Sequence, residues 1–354
     1  MIEKIFQTEI MYQQVLDENG NIDEKLYPHD LSDDKLLKMY YYMTLSRAFD
    51  NKLISLQRQG RAVTYAPAMG EEAVQVGAAS ALRDKDYFVP NYRQHVIYFM
   101  RGLPIEKYML SWRGFEEGLE IPPEVHGFPV VVPVGSQIPH AVGVAYALKL
   151  RNDGQVVLTF VGDGATSEGD FYEGMNFAGV LKVPLITIIE NNQYAISTPR
   201  SKQTAAKTLA QKAVAAGIRA IQVDGNDVIG VYKAVKDAID TIGEGPMLIE
   251  AITYRMAFHT TSDNPALYRT KEEEKEWKRR DPIDRMRKFL EKKGLWDSEK
   301  EKELWEKHQE ALNKAVETAD KFVPDPKSMF NVFSFLPETL KEEMEEYFGD
   351  GNEG

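Results

Sequence analysis

Residues 156–198, VVLTFVGDGATSEGDFYEGMNFAGVLKVPLITIIENNQYAIST, decide the fold. An apolar, β-branched run from Val156 to Val161 stops at Gly162-Asp163-Gly164. A polar turn and a helix-like segment follow. A second apolar run, Pro184 to Ile189, stops at Glu190-Asn191-Asn192. The order is strand, turn, helix, strand, with a carboxylate after the first strand and an amide after the second. In a parallel sheet both strand ends point the same way, which brings Asp163 and Asn192 to one edge.

Carboxylate and amide oxygens are hard ligands that suit Mg²⁺ or Ca²⁺ rather than zinc. Mg²⁺ usually takes one or two protein oxygens and completes its octahedron with phosphate and water. Gly162 and Gly164 are expected to leave room for a diphosphate beside the backbone. The turn that follows leads into a helix whose N-terminus favours an anion. The expected object is a Mg²⁺-diphosphate site. The chain has no G-x-x-x-x-G-K-[ST], and Gly162-Asp163-Gly164 lacks the third glycine of G-x-G-x-x-G, so neither a P-loop nor a dinucleotide fingerprint fits. The EF-hand pattern is also absent at Asp163. Either turn alone is explained by ordinary turn chemistry; the two on one strand-helix-strand unit carry the functional reading.

Working outward, Thr204 to Ala216 reads as helix, Ile221 to Val223 as strand, Val228 to Thr241 as helix and Met247 to Ile252 as strand. This alternation predicts an α/β fold, a parallel sheet flanked by helices. Residues 253–270 form a long polar loop carrying Arg255 and His259, and such loops are often functional. From Lys271 the chain reads as charged helices, broken at Asp281-Pro282, with a further amphipathic helix ending at Phe348 and a frayed tail, residues 349–354. Towards the N-terminus, Ser32 is expected to cap a helix that runs to about Gln59 and stops at Gly60, with Leu36, Met39, Met43, Phe49, Leu53 and Leu56 as its core stripe. Small residues over 73–81 suit close helix packing. Asp86 to Pro90 reads as a short strand ending at Asn91-Tyr92-Arg93, where a Tyr-Arg pair makes a phosphate hook or a surface ion pair. Residues 111–130 read as irregular, and His126 there is given no role. The bend Val132 to Gln137 precedes another helix. The division expected is a polar arm over 1–30 with a turn at 17–24, an α/β domain over 31–280, and a helical part over 281–354 of the same unit.

The 354 residues can bury a sizeable core. A net charge of −12 argues against a nucleic-acid surface. With no cysteine, disulfides, thiol catalysis and zinc-thiolate sites are excluded. No apolar run reaches membrane-span length and the first residues lack a signal or transit character, so a cytoplasmic protein with no membrane partner is expected.

The segments SEGDFYEGMNFAG, ENNQYAIST, TLAQKAVAAGI, VDGNDV and TYRMAFHTTSD resemble the alpha subunit of the thiamine-dependent first component of 2-oxoacid dehydrogenase complexes. The resemblance covers about Leu31 to Phe348. It implies the thiamine-diphosphate-binding fold, with thiamine diphosphate and Mg²⁺ as cofactors. It places Mg²⁺ on the side chains of Asp163 and Asn192 and the carbonyl of Tyr194. It places the cofactor against Tyr92, Arg93, Val132, Val134, Asp163, Gly164, Ala165, Asn192, Tyr194 and His259. Val134 matches the apolar wedge that bends thiamine, Val132 a backbone contact, His259 the active-site histidine, and Arg255 an arginine that orders the loop. Val131 and Val132 stand where branched-chain relatives have cation-binding serines, so that ion is not expected. Thr260 aligns with the position phosphorylated in animal relatives, but a kinase switch is not expected. The resemblance further implies a beta subunit in an α₂β₂ tetramer, which brings the activating glutamate, and a lipoyl acyltransferase core that accepts the acyl group. Pyruvate is the expected 2-oxoacid, with branched-chain 2-oxoacids or acetoin as alternatives. Two other readings stay open: a self-sufficient thiamine enzyme, which 354 residues make short, and a non-catalytic protein that binds Mg²⁺ and diphosphate.

Overall fold

The computed structural model describes residues 1–330 and 335–349. The strands among them are β1 (Tyr12–Gln13), β2 (Tyr87–Val89), β3 (Val157–Gly162), β4 (Leu185–Asn191), β5 (Tyr194–Ala195), β6 (Thr198–Pro199), β7 (Arg219–Asp224) and β8 (Met247–Ile252). The helices are α1 (Asp33–Arg58), α2 (Glu72–Ala81), α3 (His95–Met100), α4 (Ile105–Ser111), α5 (Gln137–Arg151), α6 (Gly169–Leu181), α7 (Arg200–Gln203), α8 (Val228–Asp240), α9 (Lys271–Lys278), α10 (Pro282–Lys292), α11 (Ser298–Asp320) and α12 (Glu338–Phe348). One sheet runs in the order β1-β7-β8-β4-β3-β2 with every neighbouring pair parallel. β5 and β6 form a separate antiparallel hairpin.

The sheet is buried on both faces, which is why β3 and β4 read as continuous apolar runs. Val157 and Val161 pack with Ile138 of α5 and with Phe171 and Met175 of α6. The intervening Leu158 and Phe160 belong to the opposite core, with α1, α2 and α8. Gly162 pairs with Glu190, so β3 and β4 end level with each other. The chain then leaves both strands at the same edge, as the alternation of 156–198 predicts.

α1 begins where Ser32 Oγ accepts from Lys35 N at 3.2 Å, and its whole expected stripe is buried. α8 begins at Asp227, whose carboxylate accepts from Ile229 N and Gly230 N. The same carboxylate also accepts from Val15 N and Leu16 N, at 2.6 and 2.8 Å. The N-terminal arm is therefore stitched into the molecule: β1 adds to the sheet edge beside β7, and Val15 and Leu16 are core residues. The turn at 17–24 does form, closed by the Leu16–Ile22 bridge. α10 and α11 place Met286, Phe289, Leu290 and Leu312 in the core that also holds the α1 stripe. Asp281 caps α10, donated to by Ile283 N at 2.9 Å. The expected frayed tail lies, beyond Gly349, outside the described residues.

The helix expected over Thr204 to Ala216 does not form as such. Only Ala210–Ala216 coils, as a 3₁₀ turn. Thr204 Oγ1 accepts from Ala206 N, and Thr208 and Gln211 exchange side-chain-to-backbone bonds, so local polar side chains outcompete the helix ladder. The irregular stretch 111–130 contains two short 3₁₀ turns, and His126 adopts a left-handed conformation beside Asp84 O.

Gly70 sits at the tight junction between α2 and the end of β8. Its φ is +97°, and a Cβ there would lie 2.0 Å from Tyr254 O. Replacing it is strained both by conformation and by contact. Gly70→Ala is expected to lower folding stability by about 1–3 kcal/mol, read as a shifted urea midpoint. An unchanged midpoint would show that the Tyr254 backbone yields freely.

Candidate active site

The carboxyl ends of β2, β3, β4 and β8 open on one cavity, lined among others by Tyr92, Arg93, Val134, Asp163, Asn192 and His259. Gly164, Ala165 and Tyr194 line it too. Of the residues expected at the site, Val132 alone stands outside: it is well exposed, and Val131 lines the wall in its place. Val134 lines the cavity and is half exposed, on a bend that turns at Gly135 (φ +91°).

Asp163 is 1% exposed and its Oδ2 has no hydrogen-bond partner among the described residues. Burial pushes this carboxyl up to about 7, partly opposed by the Arg255 guanidinium. The turn after it is clamped from behind. Gln203 Nε2 and Thr166 Oγ1 donate to Asp163 O at 2.8 and 2.7 Å. The buried Lys212 Nζ donates to Thr166 O at 2.6 Å and to Thr166 Oγ1 at 2.9 Å. A 3₁₀ turn, Gly164–Ser167, delays the expected helix to Gly169. The two glycines differ in purpose. A Cβ at Gly162 would meet nothing within 4 Å, so room exists there. At Gly164 it would strike Ala195 Cβ at 2.7 Å, so the bare Cα serves the packing of the hairpin against the turn and not a ligand.

Asn192 Nδ2 donates to Glu71 Oε1 at 2.7 Å. Its Oδ1 has only a long contact from Tyr194 N, 3.4 Å. Arg255 Nη1 donates to Tyr194 O at 2.9 Å, which leaves that carbonyl one lone pair for any further ligand. Arg255 Nη2 donates to Ile196 O at 2.6 Å and to Tyr268 Oη at 3.1 Å. Ile196 holds φ +55° and Gln193 φ +77°, so this hairpin stores backbone strain beside the cavity.

Arg93 is not a free hook. Its Nη1 donates to Pro67 O at 2.6 Å and its Nη2 to His259 O at 2.8 Å. His259 Nδ1 lies 2.9 Å from Arg93 Nη2 and 3.4 Å from Arg255 Nη1. Both guanidiniums are permanent donors, so Nδ1 must accept and the imidazole proton must sit on Nε2. Burial, then Arg93 and Arg255, lower His259 to about 3. The loop that bears it is pinned by Asp263, whose Oδ2 accepts from His259 N and from Tyr268 Oη. Tyr92 faces the imidazole edge-on, ring centroids 6.3 Å apart.

Two further buried carboxylates stand on the lining, neither of them expected at the site from the sequence. Among the described residues, Glu71 Oε2 and Glu190 Oε1 have no hydrogen-bond partner. Burial raises both; Glu71 raises Glu190 further, Glu72 does the same to Glu71, and Arg93 opposes both shifts. Only the run Gly70-Glu71-Glu72 after a turn hinted at Glu71, and nothing about it spoke for burial. Among the described residues, no group of three or more His, Cys, Asp or Glu is placed to hold a metal, and no helix is long and apolar enough to cross a membrane. A metal at Asp163 and Asn192 would take one carboxylate and one amide from the chain and the rest from phosphate and water. Unpartnered, buried Asp163 Oδ2 and weakly engaged Asn192 Oδ1 fit that donor set.

The fold is that of a dehydrogenase E1 component: residues 40–327 match the model of that family, and the chain belongs to it. It is similar to the "Pyruvate dehydrogenase E1 component subunit alpha" of Staphylococcus aureus strain Mu50, 46% identical over 340 residues, covering 94% of this chain and 92% of the relative. The protein of the same name from Staphylococcus epidermidis is 44% identical over the same shares. The family implies thiamine diphosphate as cofactor and an alpha subunit's place in a larger complex.

A depressed imidazole needs a lower pH to take a proton, so His259 is expected to stay neutral with its proton on Nε2 from pH 5 to 8. Nitrogen NMR of histidine-labelled protein reads this directly. A His259 titration centred near the ordinary value of about 6.5 would contradict the assignment.

Proposed function

We propose that this chain is the alpha subunit of a pyruvate dehydrogenase, active with a beta subunit in an α₂β₂ tetramer that passes the acyl group to a lipoyl acyltransferase core. The observation that carries this reading is the cavity at the strand ends, where an orphaned carboxylate and a weakly engaged amide oxygen face two buried guanidiniums. The relatives named for pyruvate support the substrate.

Thiamine diphosphate, when bound, supplies the carbanion and the electron sink for decarboxylation of a 2-oxoacid. Asp163 Oδ2, Asn192 Oδ1 and the free lone pair of Tyr194 O would hold Mg²⁺. The charges of Arg93 and Arg255 would balance the diphosphate, beside the backbone of Gly164 and Ala165. His259, neutral, offers a donor at Nε2 to an anionic oxygen without taking a proton itself. Tyr92 keeps the imidazole upright, and Val134 gives the thiamine rings an apolar support. Val132, outside the cavity wall, keeps only its backbone for such a contact.

The beta subunit is the natural cover for the mouth. Val134 and Ile196 at the rim are exposed, as are Leu150 of α5 and Tyr172, Phe177 and Val180 of α6. Exposed apolar side chains in such number are what subunits bury. The activating glutamate is assigned to that partner, and a cytoplasmic location suits the assembly.

The test is decarboxylation by the purified chain with and without its beta partner. Turnover is expected only for the pair, with kcat/KM for pyruvate above that for 3-methyl-2-oxobutanoate. A hydrophobic pocket discriminates by ~1–3 kcal/mol per methylene, so preference for the larger acid would move the substrate to the branched-chain class. Asp163→Ala is expected to abolish calorimetric binding of thiamine diphosphate with Mg²⁺ by the pair. Binding equal to the parent's would refute the site.

A further inference from the structure

We propose that Glu71 is a positioning residue for the metal site: it orients the Asn192 amide so that Oδ1, and not Nδ2, faces the cation. The inference rests on reading Asp163 and Asn192 as the metal ligands.

A primary amide has two ends of almost equal size, and only the oxygen can ligate a cation. Nothing steric decides which end faces the cavity. The decision falls to whichever group bonds the other end. Here Asn192 Nδ2 donates to Glu71 Oε1 at 2.7 Å, with both residues buried. A carboxylate accepts and cannot donate, so it bonds only the nitrogen end and turns Oδ1 away from itself. The bond is charge-assisted, hence stronger than a neutral one, and it draws electron density towards Oδ1. At Oδ1 the sole competing contact among the described residues is Tyr194 N at 3.4 Å, too long to hold the amide in either sense.

Glu71 can do this because its own place is fixed from three sides. Glu71 N donates to Ala68 O at 2.8 Å. Gly70 N donates to Glu72 Oε2 at 2.8 Å, and Gly70 O accepts from Thr253 Oγ1 at 2.6 Å. Thr253 in turn follows β8, the strand beside β4, so the orienting carboxylate and the oriented amide are indexed to the same sheet edge. A group that orients a metal ligand typically changes metal affinity by 10–100-fold when removed.

The experiment uses the full chain with its beta partner and saturating thiamine diphosphate. Free Mn²⁺ is followed by electron paramagnetic resonance, so the readout is metal affinity and not turnover. Glu71→Leu, which fills space but cannot accept, is expected to weaken Mn²⁺ binding by about 10–100-fold. Glu71→Gln, whose amide oxygen still accepts from Nδ2, is expected to stay close to the parent. Asn192→Asp supplies the decisive background, because a carboxylate has an oxygen at each end and needs no orienting. There, Glu71→Leu or Glu71→Gln is expected to leave affinity unchanged or raise it, by removing a neighbouring like charge. Loss in both backgrounds would show a merely structural Glu71 and overturn the proposal. Equal loss in Glu71→Leu and Glu71→Gln would make Glu71 a ligand or a charge donor and overturn it too. If Glu71→Leu does not assemble, Glu71→Ala takes its place in both backgrounds with the same expectations. Failure of the parent pair to bind Mn²⁺ would remove the metal reading itself, a result distinguishable from all of these.

Discussion

The guanidinium of Arg255 is 1% exposed, and uncharged oxygens hold it: the carbonyls of Tyr194 and Ile196 and the hydroxyl of Tyr268. Burial, Arg93 and Arg269 all act against its charge. Arg93, also buried, stands beside it with a neutral imidazole between them. Facing this pair are Asp163, Glu71 and Glu190, each a carboxyl that burial raises. Opposite charges are thus gathered in one cavity without being paired in direct contact. Buried charges left so are costly. The cavity is complemented by an occupant that brings a divalent cation to the carboxylates and an anion to the guanidiniums, and any such occupant stabilises the fold by mass action. A magnesium diphosphate carries both signs at the spacing of a single bond.

The same arginine explains why a strained hairpin persists. Left-handed backbone at a β-branched residue is uncommon, yet Ile196 adopts it with its carbonyl held at 2.6 Å by Arg255. Gln193, the other left-handed residue, donates from Nε2 to Asn191 O at 3.0 Å and to Thr253 O at 3.3 Å. The strain is over-determined by bonds from β4 and from the loop after β8. In consequence the Tyr194 carbonyl, the 253–270 loop and His259 form one unit. A change in the loop is felt at the proposed metal ligand through a single side chain, with no long pathway to invoke.

What could be read from the sequence was what local periodicity and strand-end chemistry control. The two apolar runs, the capping of α1 by Ser32 and the meeting of Asp163 with Asn192 depend on residues near one another in the chain. What could not be read depends on distant partners. Tyr12 and Gln13 carry no strand signal of their own and pair only because β7 offers an open edge. Glu71 and Glu190 look like surface residues until the sheet closes over them. Gly164 looks like room for a ligand until Ala195 arrives against it from the hairpin. The stretch 204–209 is not helical because Thr204 and Thr208 bond nearby backbone, a competition that composition alone does not show.

The apolar rim connects the chemistry to the assembly. A cavity with five buried ionisable side chains would ordinarily need its own lid, since water at the mouth weakens every electrostatic contact inside. The 253–270 loop closes one side, held down by Asp263 and by Arg269, whose guanidinium lies within 4.9–5.5 Å of the ring centroids of Tyr194, Tyr254 and Tyr268. Val134 and Ile196 border the other side, and α5 and α6 carry further exposed apolar side chains. A second subunit seated there would exclude water from the charges and, in the same act, bring the glutamate to the thiamine ring. Dryness and catalytic completeness would then depend on one interface, which is a physical reason for the activity to be divided between two chains.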